Sequence, residues 1–518
     1  MNEMSAKEKI LRLQAKNGQF TCEYNGKFLL SAYNPKAEAE KFVETLKIDF
    51  RPSVIFIIEP LLSWCEKPLR KRFPNSKLCA IRFFNDFSDS DIFWDKVLYF
   101  SANSQENHDK NSKDFSEILY DNFGEEILLS SFFFALPSII STFSNRYESA
   151  MEQIKSAILK SRAVLFTRAR FAKKWLINSI RFHRFAKHFK AIQKGENPII
   201  IVASGSSLTS SLAFIKKYKK MFFLIAVSSA LFPLLNYGIE PDLVLTSDGG
   251  FYAEKHLDCL EKSNTQIKKI PIAMSDEARC ARNLLSAANI IPLKYSDSSF
   301  DFLYKVSGIK FLQAKRNGTV SGTATEFALE LTTSDVFLCG LDLCSNLGFQ
   351  HANPNALEII DEAKDFRIAT KETRSTTSRF NSDESLSVYR NWFRNREQNF
   401  YSRVFRLSDN FKYSFDSAPL KDVNWNDFSE KIKKINFASV RKIKIVEANF
   451  SKNEFSDKEI LKEIENNLNS TQFLREIFPA ESLSLKKALS EEKIKTQSDL
   501  LNDKKHEFIS KIRNLLNV

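Results

Sequence analysis

Over residues 1–125, short apolar runs alternate with polar stretches of helical period. VIFIIEP (54–60) and KLCAIRF (77–83) are uninterrupted runs of strand length on either side of SWCEKPLRKRF. This pattern predicts two buried strands flanking a helix, and so a small α/β domain. The first of these strands ends in Glu59-Pro60 rather than in a glycine loop, which gives a nucleotide no purchase there. From about residue 144 to 190 the period is helical and basic. Ten Lys or Arg and no acid lie between Lys160 and Lys190, interleaved with Phe, Trp and Leu. Such a stretch predicts a helix with one packed face and one solvated, cationic face, a type of surface that also suits a membrane or an acidic partner.

The most regular alternation spans 195–425. Apolar runs at 199–203, 222–227, 243–247, 270–273 and 336–339 are mostly separated by helix-like segments, so the expected fold class is α/β with a central, doubly wound, mainly parallel sheet. Beyond 426, Leu, Ile and Phe recur at helical intervals among Lys, Glu and Asn, which predicts a helical C-terminal domain. The expected layout is an N-terminal α/β domain (1–125), a helical basic connector (126–194), the central domain (195–425) and the C-terminal domain (426–518).

Residues 127–145, ILLSSFFFALPSIISTFSN, carry no charge. Their five Ser, central Pro and Asn favour a buried core helix over an integral membrane span. Seven scattered Cys without a CxxC predict reduced thiols and a cytoplasmic protein, and the polar N-terminus is unlike a signal peptide. The net charge of +13 attracts polyanions and nucleotide phosphates, but neither arginine-rich repeats nor zinc-module spacings point to nucleic acid.

Glycine use narrows the search for chemistry. Of 13 glycines, 10 fall between Gly195 and Gly348, and glycine serves where the backbone needs positive φ or close approach. Ligands of open α/β sheets bind beyond the carboxyl ends of the strands. There the sequence places Ser204-Gly205-Ser206-Ser207 before a helix, Ser228 after the next strand, Asp248 beside Gly249-Gly250, Ser321-Gly322-Thr323 before another helix, and Gly340 and Asp342 followed by His351. Small polar turns at helix starts favour anions, with serine as N-cap. Neither a dinucleotide fingerprint nor a Walker loop is present, and no companion ligands spaced for zinc accompany Cys339 and Cys344.

The order ASGSSL, LIAVSSAL, GIEPDLVLTSD, NGTVSGTATEFALEL, VFLCGLDL and QHANPN resembles the motility-associated factor (Maf) family. These are flagellin glycosyltransferases whose central, Rossmann-like domain is similar to CMP-sialic acid-dependent sialyltransferases. The resemblance covers about 175–408, including Trp175 and Asn178. It implies a CMP-nonulosonate donor, such as pseudaminic or legionaminic acid, flagellin Ser or Thr as acceptor, and a nucleotide sugar held by Gly205, Ser206, Ser207, Ser321, Gly322, Gly340 and Asp342. Ala203, Ser206 and Ser228 depart from the residues common in that family.

The expected mechanism uses helix-start N–H groups and hydroxyls to hold the departing phosphate. His351, with an ordinary pKa near ~6.5, is the expected base ahead of Asp248. No tightly bound cofactor and no metal are expected, and self-association is possible. Two rivals are a pterin diphosphokinase-like nucleotide enzyme and a non-catalytic motility or secretion chaperone on the same fold.

Overall fold

In a computed structural model of the protein, the chain is described except for residues 1–9, 102–113, 262–268, 345–350, 358, 360–362, 364, 371–372, 374–383, 410–414 and 436. Residues 374–383 of the stretch TRSTTSRFNSDESLSVYRNWF (373–393) and Gln350 of QHANPN therefore lie outside the described residues. The chain forms two compact units, 1–170 with 467–511, and 171–466 with 512–518. These boundaries do not coincide with 125, 194 and 425.

In the first unit, four parallel strands stand in the order Lys96–Tyr99, Lys77–Arg82, Val54–Ile58, Ser131–Ala135. The two expected strands and the helix between them, Glu66–Arg72, are present. The buried helix expected over 127–145 is corrected to three pieces. The helix Phe115–Leu129 ends, Ser131–Ala135 pairs in parallel with Val54–Ile58, and Pro137 opens the short helix Pro137–Thr142. Three consecutive phenylalanines prefer a pleated surface, and Phe133 stacks on Phe56 with ring centroids 4.4 Å apart.

Glu59, at the carboxyl end of the central strand, is fully buried. It accepts from the Phe83 amide (2.7 Å) and the Leu61 amide (3.1 Å) and pairs with the equally buried Arg82 (3.1 Å). Burial raises its pKa despite the guanidinium. The turn after this strand is thus closed from inside by the chain's own carboxylate.

In the second unit an eleven-stranded sheet runs Lys421–Val423, Val404–Leu407, Val336–Cys339, Ile199–Val202, Phe223–Val227, Leu243–Thr246, Ile272–Ser275, Asn289–Tyr295, His188–Gln193, Lys444–Glu447, with Leu312–Ala314 also beside Asn289–Tyr295. Every pairing is parallel except that of Lys444–Glu447. The α/β, mainly parallel, doubly wound class is as expected.

Strands that the apolar pattern missed carry a polar or imino interruption. Asn289–Tyr295 contains Pro292 and Lys294, and Val404–Leu407 contains Arg406, which is buried and pairs bidentately with Asp422 at 2.7 Å. His188–Gln193 lay hidden in the basic run. The chain builds outward from Ile199–Val202 in one direction and returns to Val336–Cys339 on its other side. The topological switch point therefore falls between the turns at 203–207 and 340–342, at the edge where ligands of this architecture bind.

Candidate functional site at the carboxyl edge

The two turns at the switch point interlock. The Ala203 amide donates to the Cys339 carbonyl and the Gly205 amide to the Gly340 carbonyl, each at 2.8 Å. A methyl group on Gly205 would lie 2.5 Å from that carbonyl oxygen and 2.6 Å from Asp342 Oδ2. Gly340 has φ +71°, and a Cβ there would strike the Ala203 carbonyl. What the bare backbone of Gly205 meets is therefore the chain itself.

Asp342 is buried, and its carboxylate accepts from the Ser207 amide (2.7 Å), the Ser207 hydroxyl (2.5 Å) and the Ser206 hydroxyl (3.2 Å). Ser207 makes no side-chain cap of its own for the helix Leu208–Tyr218. The N-cap expected of a serine is corrected: the anion at this helix start is Asp342, where the dipole favours it. Ser204 gives its hydroxyl to Ser229 (2.9 Å), and Ser228 opens the short turn Ser228–Ala230, itself buried.

The second turn differs from its expected position by a few residues. The helix is Val320–Leu331, so Ser321, Gly322 and Thr323 lie in its first turn rather than before it, and all are buried. Thr323 donates its hydroxyl to the Lys315 carbonyl (3.1 Å), and a Cβ on Gly322 would sit 3.3 Å from the Trp392 ring.

One helix touches several of these pieces. Glu384–Arg394 brings Trp392 against Gly322, and Arg390 donates to the Leu343 carbonyl (2.8 Å), next to Asp342. It also sets Tyr389 near Asp248: burial first, and that carboxylate second, push the phenol upward. Asp248 itself is exposed and accepts from the Gly250 amide (2.8 Å). Gly249 is glycine because Trp175 packs on it, 2.6 Å from where a Cβ would stand. Asn178 fixes the same loop by donating to the carbonyls of Gly249 (3.2 Å) and Glu277 (3.0 Å).

His351 reaches this edge through its neighbour, the Ala352 amide bonding the Ser204 carbonyl at 2.6 Å. The His351 ring stands 6.2 Å from that of His256, whose pKa burial, helped by His351, lowers to about 4. Ser204–Ser207, Ser228, Asp248, Ser321–Thr323, Gly340, Asp342 and His351 thus all belong to one end of one sheet.

Sequence reasoning missed a buried polar group at this edge. Asp276 and Glu277, in SDEAR after the strand Ile272–Ser275, are both buried. Glu277 pairs with Arg316 (2.8 Å), whose guanidinium lies between the faces of Trp175 (4.4 Å) and Tyr295 (4.3 Å) and also reaches Asp297 (3.1 Å). Asp276 accepts from the Ser179 hydroxyl (2.5 Å), 4.0 Å from the His183 imidazole. Burial, then the Glu277 charge, raise Asp276 to about 7, and burial lowers His183 to about 3. The signal was available: two adjacent acids at a strand's carboxyl end occupy the same structural position as Asp248.

The fold and this edge define the class as a Rossmann-like α/β protein with its polar groups gathered at the switch-point side of a parallel sheet. Comparison with known proteins gives the relationship. Residues 173–347 match the family model described as 6-hydroxymethylpterin diphosphokinase MptE-like. The chain shares its fold with the MAf glycosyltransferase from Magnetospirillum magneticum AMB-1, at 12% identity and TM-score 0.52, over 99% of this chain and 91% of that one. An uncharacterized protein of Treponema pallidum (strain Nichols) is 25% identical over 339 residues, 65% of this chain and 72% of its own. The expected Maf-like fold is therefore shared along the chain, and the MptE-like segment lies within the second unit. Among the described residues no helix is long and apolar enough to cross a membrane.

Proposed function

We propose that the protein is a glycosyltransferase that moves a nonulosonic acid, such as pseudaminic or legionaminic acid, from a CMP-activated donor to Ser or Thr hydroxyls of flagellin. The observation that supports this most is the fold shared with a Maf glycosyltransferase along 99% of the chain. In this reading the acceptor hydroxyl oxygen attacks the anomeric carbon, and the bond from that carbon to the phosphate oxygen breaks. CMP departs with the electron pair. His351 takes the hydroxyl proton, and Asp248, the exposed carboxylate at the same edge, is the alternative acceptor.

The turn at 203–207 acts as frame. The hydroxyls of Ser206 and Ser207 are engaged by Asp342 and that of Ser204 by Ser229, and the N-terminus of the helix Val320–Leu331, with Ser321 and Gly322, is the helix start that serves the phosphate in this reading. A second reading, a nucleotide enzyme of the pterin diphosphokinase type, is favoured by the name of the family model matching 173–347.

The test is purified protein with CMP-pseudaminic acid and unglycosylated flagellin, read by intact mass, alongside thermal stabilisation by CMP and by ATP-Mg. A flagellin mass increase and stabilisation by CMP are expected. Stabilisation by ATP-Mg alone, with no mass increase, selects the second reading. If His351→Ala leaves turnover intact while Asp248→Asn abolishes it, the proton acceptor is Asp248.

A further inference from the structure

The 42-residue helix Ser144–Phe185 carries a feature that the proposed reaction does not use. Lys155, Leu159, Arg162, Phe166 and Arg170 follow one another at intervals of three or four residues, which puts them on one face of a helix. All five are exposed, Leu159 at 63% and Phe166 at 67%, while Ile154, Ala157 and Ser161 on the opposite side are buried. Packing within the unit therefore does not explain the two large apolar side chains. A single exposed leucine or phenylalanine is ordinary. Here both lie on one row, each bracketed by cations, in a stretch with no acid between Glu152 and Glu196. The exposed Glu148 and Glu152 stand on the same row only before Lys155, and from Lys155 to Arg170 the face has no acid to pair its cations at the three- or four-residue spacing that a merely solvated helix gains from.

We infer that this row is a docking surface for an anionic lipid bilayer. It extends for about 22 Å at 1.5 Å per residue. Its cations alternate with apolar side chains instead of converging into a fork. That arrangement suits a plane of mobile anionic headgroups above an apolar layer, the cations meeting the former and Leu159 and Phe166 the latter. The association is peripheral, since the other side of the helix belongs to the core, and it is independent of any nucleotide.

Cosedimentation of the full chain with vesicles of phosphatidylcholine and phosphatidylglycerol, against vesicles of phosphatidylcholine alone, tests it. The expected result is binding to the anionic vesicles only, weakening as KCl is added. Lys155→Ala with Arg162→Ala should lower the partition coefficient about 25-fold, taking about five-fold for each cation. Phe166→Ser should lower it about 10-fold. Because these side chains are exposed, circular dichroism and the melting midpoint should be unchanged and report that the variants fold. Equal binding to neutral vesicles, or unaltered binding by the double variant, overturns the inference. So does retention on immobilised poly-glutamate with no vesicle binding, which would assign the row to an acidic polypeptide.

Discussion

Replacing Asp342 by alanine separates a framing role from a ligand-binding one. The carboxylate receives three hydrogen bonds from Ser206 and Ser207, and its own residue is 2% exposed. Deleting it strands the Ser207 amide at the start of the helix Leu208–Tyr218 and removes the negative charge from the positive end of the helix dipole. Bonds to a charged acceptor are worth about 1.5–3 kcal/mol each but are not additive within one cap, and loss of an N-cap costs about 0.5–2 kcal/mol. A net destabilisation of about 2–3 kcal/mol follows. For a unit of this size that lowers the melting midpoint by roughly 3–5 °C.

Scanning calorimetry of wild type, Asp342→Ala, Ser207→Ala and the double variant is the assay. The two single losses should be strongly non-additive, because they delete ends of the same bonds. Asp342→Asn should fall between, since one amide oxygen can still accept from the Ser207 amide. A wild-type midpoint for Asp342→Ala, with CMP stabilisation lost, would refute the reasoning and make Asp342 a ligand contact.

Three further outcomes are expected. Gly340→Ala combines a left-handed φ of +71° with a Cβ against the Ala203 carbonyl and should destabilise by about 2–4 kcal/mol, measured by denaturant titration. Arg82→Met leaves Glu59 buried without its partner and should cost about 3–5 kcal/mol, much of it recovered by adding Glu59→Gln.

Asp276→Asn alters the pH dependence of stability. The folded pKa of Asp276, about 7, lies above the unfolded value, so its contribution is full below about pH 4 and is lost as the pH rises to 7. His183 and His256, lowered to about 3 and 4, act oppositely: their contribution is present above about 6.5 and is lost as the pH falls. Removing Asp276 should therefore make stability climb more steeply between pH 4 and 6.5, read as melting midpoints across that range.

The parallel sheet of the first unit and the mainly parallel sheet of the second use the same device. Glu59 in one and Asp342 in the other are buried carboxylates that accept main-chain N–H groups at the turn after a central strand. The sequence marks each position, Glu59-Pro60 in place of a nucleotide loop and Asp342 as an expected nucleotide contact, but not the hydrogen bonds that each makes within the chain. Nothing local in Gly-Leu-Asp says that its carboxylate returns to cap a helix more than a hundred residues earlier. Only the parallel pairing of Val336–Cys339 with Ile199–Val202 brings it there.

The apolar periodicity of this chain determined the α/β class, both expected strands of the first sheet and most of the central strands of the second, because a strand buried on both faces must be continuously apolar. Clustered glycines and small polar turns determined which edge to search. The tertiary structure alone decided the rest. The tertiary structure makes the polar strands Val404–Leu407 and Asn289–Tyr295 tolerable by pairing Arg406 with Asp422 of the neighbouring strand and Lys294 with Asp301 at the start of the helix Asp301–Ser307. It also divides the chain so that residues 467–511 join the N-terminal unit. It sets Asp276, Glu277 and Arg316 at the carboxyl edge as well, a grouping drawn from different strand ends that no sequence window contains.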